Sequence, residues 1–166
     1  MEQEELLDSL KKEFEKTKKR LGFSATYEEI ENYFFIEDMV LSQKAVSRRF
    51  SRQMANWIIE GINSWISQLY SWVYPAPTDA IHLHESKSIK KEEREEIIKI
   101  IDYLMYFTRK NKKIAFCMGK EQDRMEGEFI DEVLDFYRGK FLKFIKKYLS
   151  KFENFWKEEI NEKSDV

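Results

Sequence analysis

The sequence predicts an all-α fold, a single-domain bundle of about five helices over residues 1–166, with long third and last helices. Three observations carry this reading. Apolar residues recur at three- and four-residue intervals along most of the chain. Glycine and proline, which break helices, number only 5 and 2. No stretch alternates as a half-buried strand does, with "IAFCM" at 114–118 the nearest approach.

The elements follow in order. Leu7, Leu10, Phe14 and Leu21 share one face of a first helix from Glu2 to Leu21, and Gly22 stands where a C-cap tolerates positive φ. Thr26 and Glu29 have capping-box spacing, so a second helix is expected from there to about Leu41. A third helix is expected to run unbroken from the "SQKAVSRRF" segment to Val73. Val46, Phe50, Met54, Trp57, Ile58, Ile62, Trp65, Leu69 and Trp72 form its apolar stripe, which predicts that Trp57 and Trp65 are both buried. Pro75 and Pro77 end it.

Tyr74–Ser88 reads as a long irregular loop. If extended, it turns Ile81 and Leu83 inward and His82 and His84 outward together. A fourth helix is expected from about Lys90 to Lys110, with Ser88 placed to cap it and Asn111 to end it. The last runs from near Glu121 to about Ile160, weakened at Gly127 and Gly139, with a kink expected at the second.

Bulk properties narrow the function classes. The 29 basic and 31 acidic residues are interspersed, which argues against a dominant attraction to nucleic acid or anionic lipid. One cysteine, Cys117, excludes an intramolecular disulfide and a cysteine-cluster metal site. No signal peptide or membrane-length apolar run is visible, so a cytoplasmic location is the expectation. Abundant Lys and Glu lean towards a thermophile.

Four local patterns bear on function. Arg48, Arg49 and Arg52 could serve as the reading face of a helix-turn-helix, with 27–41 as first helix and 43–54 as reader. The plainer account makes them the polar face of a long core helix. On the same face lie Gln53, Asn56, Asn63, Ser64, Ser67, Gln68 and Ser71, polar but uncharged with only Glu60 among them, as expected of a half-buried face covered by a helix, a subunit or a ligand. His82, His84 and Glu85 have the chemistry to hold a zinc or iron ion, or to bind another ligand, although two histidines alone make a thin ligand set. Lysines interleave with aromatics on the last helix, where a solvated face explains them.

No nucleophile elbow, phosphate loop or paired-carboxylate arrangement points to catalysis, and no cofactor is implied. The leading expectation is a non-enzymatic helical interaction or scaffold protein that associates with itself or another protein, with His82, His84, Glu85, Asn56 and Asn63 as candidate binding residues. Nucleic-acid binding through Arg48, Arg49 and Arg52 comes second. A metal-dependent enzyme at His82 and His84 comes third.

Overall fold

The computed structural model describes residues 2–164. Among these the only regular structure is helical, without strands. The helices are α1 (Glu2–Leu21), α2 (Tyr27–Phe34), α3 (Ile36–Gln43), α4 (Phe50–Val73), α5 (Ala80–Ser86), α6 (Lys91–Ile114), α7 (Gly119–Phe136) and α8 (Leu142–Ser164). A π turn, Tyr137–Phe141, joins α7 to α8, so the described residues form seven helical rods rather than five.

The extra rods arise at places the periodicity does not mark. The expected second helix breaks at Phe35, which is left-handed at φ 52°. In one continuous helix residues 34 and 36 would point about 200° apart. The break lets Phe34 and Ile36 both be buried, at the cost of an exposed Phe35. The third helix does not begin until Phe50. Lys44, also left-handed at φ 54°, ends α3, and residues 45–49 form a turn. Within that turn Ser47 Oγ accepts from Arg49 N at 3.0 Å, and Gln53 Oε1 accepts from Ser47 N at 3.0 Å. Side-chain bonds of this kind compete with helix formation and set a start signal one turn late.

The Tyr74–Ser88 loop contains α5. Asp79 caps it, its carboxylate accepting from His82 N at 3.2 Å. The prolines stiffen only the residues before this cap. Ser88 does not cap α6; its hydroxyl donates to the Glu85 carbonyl at 2.7 Å. α6 runs past Asn111 because Ile114 still has a buried place to occupy.

Two compact units make up the chain, residues 1–64 with 105–134, and residues 65–104 with 135–166. The core of the first is built from α1 to α3, the start of α4, the end of α6 and most of α7. Leu10, Phe14, Ile30, Ile36, Val40, Met54, Ile58, Phe107, Phe129 and Ile130 are buried there. Ser24, in the α1–α2 loop, is tied to α7 by Asp131, which accepts from its N–H and its hydroxyl at 2.8 and 3.0 Å. The core of the second is aromatic. Trp72 lies 4.7 Å from Phe152 and 6.3 Å from Tyr148 between ring centres, and Trp65 meets Phe141 at 5.3 Å. The π turn at Gly139 stands where a kink was expected, and its bond runs from Leu142 N to Tyr137 O. A π insertion widens the helix by one residue without breaking it.

Trp57 is buried as expected, but Trp65 is only half-buried. The uncharged strip of α4 is half-buried only at its ends, Gln53 and Ser71, and more open than expected between them, where Asn56, Asn63, Ser64, Ser67 and Gln68 are exposed. Nothing in the structure explains why that strip lacks charge.

Candidate functional site

The residues with the most site-like environment lie in the first unit. The turn before α4, the middle of α1 and the loop between α6 and α7 enclose an open cleft of about 940 Å³. Lys16, Arg20, Arg48, Arg49 and Arg52 bring five cations to it, against the carboxylates of Glu13 and Asp123.

Arg52 does not face a groove as a reader helix would. It stands at the floor of the cleft. One guanidinium nitrogen donates to Glu126 Oε1 at 3.2 Å, and the other donates to Asn111 Oδ1 at 2.9 Å. The Asn111 amide reaches on to Asn56 Oδ1 at 3.5 Å, at the cleft margin. Arg52 is 16% exposed and Glu126 only 1%, so this is a buried charge pair. The second Glu126 oxygen, Oε2, is buried without a hydrogen-bond partner among the described residues. Such a group costs free energy on folding, and its cation cannot be removed without leaving a bare charge.

Arg20 is held by Asp123 of α7 and by Ser51 Oγ at 3.3 Å, and Lys16 by Glu13 at 3.5 Å. The acids that neutralise Arg20 and Arg52 therefore both come from α7, and the one α1 acid, Glu13, answers Lys16. Arg48 and Arg49 are exposed, and neither guanidinium has an ion-pair partner among the described residues. Beside them the α6–α7 loop presents Phe116 at 89% exposure and Met118 at 84%. Met118 lines the cleft together with Cys117, which is half-exposed. The cleft thus pairs two unneutralised guanidinium groups with an uncovered apolar rim.

The histidine segment is arranged differently from expectation. Residues two apart in a helix point about 200° away from each other, so α5 sends the two imidazoles to different partners. His82 Nδ1 lies 2.5 Å from Asp79 Oδ2, and this hydrogen bond holds the Asp79 carboxyl below its ordinary value. His84 Nε2 lies 3.1 Å from Glu159 Oε1, with its ring edge-on to Phe155 and Trp156. Glu85 turns inward and accepts from Trp156 Nε1 at 2.6 Å. Ile81, expected inward, is exposed. Among the described residues no group of three His, Cys, Asp or Glu side chains is placed to hold a metal ion.

The sequence reading missed Arg20, Asn111, Asp123 and Glu126. A signal for two of them existed. Glu126 stands four residues before Ile130, and Asn111 four after Phe107, so each falls on its helix's apolar stripe. A polar group on a buried stripe needs a partner, and Arg52 supplies it to both.

No protein-family model, no curated protein and no solved structure matches this chain. Among the described residues no helix is long and apolar enough to cross a membrane.

Proposed function

We propose that this chain is a non-enzymatic interaction module whose arginine-lined cleft docks an acidic segment of another polypeptide carrying apolar side chains. One observation carries the reading: Arg48 and Arg49, unpaired, stand beside exposed Met118 on one concave surface. Guanidinium groups match carboxylates in bidentate geometry, and a thioether packs against varied apolar side chains. The volume suits a few side chains rather than a whole domain.

Nucleic acid is the second reading, favoured by the same two free arginines. Against it stands a count of charges. Three of the five cleft cations, Lys16, Arg20 and Arg52, already face carboxylates. Stable duplex binding near physiological salt rests on roughly 6–10 phosphate contacts.

The test is a binding comparison by fluorescence anisotropy at physiological salt. The probes are a synthetic peptide of alternating Glu and Leu, and a DNA duplex. The expected result is saturable peptide binding, lost in Arg48→Ala/Arg49→Ala and weakened in Met118→Ser. Tighter binding of the duplex, lost in the same arginine variant, would replace the first reading by the second.

A further inference from the structure

A second cationic feature lies in the other unit and is independent of the arginine cleft. Lys99, Lys140, Lys143 and Lys147 line a groove of about 490 Å³ between α6 and the π turn with the start of α8. Glu96 is the only carboxylate in that lining. In a chain whose net charge is -2, such a concentration of like charge is local and unfavourable unless something offsets it.

Of the four ammonium groups one is neutralised within the protein and a second has only a neutral partner. Lys147 Nζ donates to Glu96 Oε2 at 2.6 Å. Lys140 Nζ donates to the Tyr103 hydroxyl at 2.9 Å and lies 4.6 Å from the centre of its ring. A phenol is a neutral partner, so Lys140 keeps its charge in the groove; the same contact pulls the Tyr103 phenol below its ordinary value. Lys99 and Lys143 have no ion-pair partner among the described residues. The floor is apolar, made of buried Ile100 and Phe144, and a low-dielectric wall strengthens the field above it. Gly139 lines the groove at the π turn, and a Cβ there would meet nothing within 4 Å.

We propose that this groove is an oxyanion site that takes a phosphate-bearing ligand, with Lys99 and Lys143 as its charge donors and Lys140 and Tyr103 as its polar wall. Lysine is a compact point charge, suited to phosphate oxygens, whereas a carboxylate is better matched by the fork of an arginine. A dianionic group balances the ammonium ions of Lys99 and Lys143, and the charge that Lys140 keeps favours it further. A long polyanion does not fit as well, because Glu92, Glu93 and Glu95 stand within the two turns of α6 that precede Lys99 and repel it.

Calorimetric titration of the full chain at low ionic strength tests this, with inorganic pyrophosphate in one arm. Vesicles of phosphatidylcholine with a phosphorylated phosphoinositide form the other. The expected result is saturable binding in at least one arm, weakened about tenfold or more in Lys99→Gln/Lys143→Gln and unchanged in Lys12→Gln/Lys112→Gln, two exposed lysines outside the groove. Binding to pyrophosphate identifies a free phosphate compound as the source, and binding to vesicles alone identifies a lipid headgroup. Thermal unfolding of the Lys99→Gln/Lys143→Gln variant should match the parent, since both side chains are exposed. No saturable binding in either arm, or binding indifferent to the Lys99 and Lys143 substitutions, would overturn the proposal.

Discussion

A Cβ built on Gly127 would lie 2.4 Å from the backbone carbonyl oxygen of Leu21, the last residue of α1. Backbone cannot swing aside as a side-chain tip can, so α1 and α7 depend on a bare position here. Gly127→Ala should cost about 1–3 kcal/mol, the usual penalty of overpacking. Gly139→Ala meets nothing and should instead stabilise by about 0.5–1 kcal/mol. Urea midpoints at constant slope will separate the two; equal effects would mean that the end of α1 does not touch the middle of α7.

Arg52→Ala should cost about 3–5 kcal/mol, because it strands a buried carboxylate rather than merely deleting a contact. The double variant Arg52→Met/Glu126→Leu should recover most of that loss. A single-variant cost below about 1 kcal/mol in chemical denaturation would show that water reaches Glu126.

Trp57 and Trp65 sit on one stripe but should not respond alike. Trp57→Ala should cost about 3–5 kcal/mol, as expected for a buried aromatic. Trp65→Ala should cost about half as much, because only part of its surface leaves water and its main ring partner is Phe141. Equal losses would place Trp65 in the core after all.

Acid should weaken the second unit. Burial opposes ionisation of Glu93, but its hydrogen bonds with Lys151 Nζ (2.8 Å) and Lys90 N outweigh it, and the carboxyl titrates below its ordinary 4.5. Burial also opposes ionisation of Glu96, and the hydrogen bonds from Lys147 and the Tyr148 hydroxyl again prevail. A carboxyl whose pKa falls on folding stabilises fully above its unfolded value, and that contribution is lost as pH drops through the folded one. Thermal stability should therefore decline from about pH 4.5 downward. The decline should be shallower in Lys147→Met/Lys151→Met. At neutral pH, Tyr148→Phe should cost about 1 kcal/mol for the lost bond.

The parts legible in the sequence are those with a local cause. α1 ends at Leu21 with Gly22 at φ 74°, and α2 begins at the Thr26–Glu29 capping box, because both signals act within one turn of the residues that carry them. The break at Phe35 answers instead to where Phe34 and Ile36 find space, which depends on distant residues, and the late start of α4 to the bonds of Ser47 and Gln53, which an apolar stripe does not reveal. The histidines were misplaced for a related reason. A two-residue spacing has opposite meanings in a strand and in a helix, and the Asp79 cap decides between them. In the cleft, the arginines were visible as a cluster. Their division into one buried and two free groups was not, since it depends on Glu126 and Asn111, more than fifty residues away.

The Arg52–Glu126 pair also bears on which arrangements the chain declines to adopt. Hydrocarbon stripes are forgiving, and leucine or phenylalanine can exchange neighbours by rotating a helix with little change in energy. A carboxylate among them is not. Turning α7 by one residue, about 100°, would carry Glu126 away from its only cation while leaving the apolar contacts replaceable. The charge pair thus acts as a key for the register of α4 against α7, widening the gap between the native packing and its near-copies.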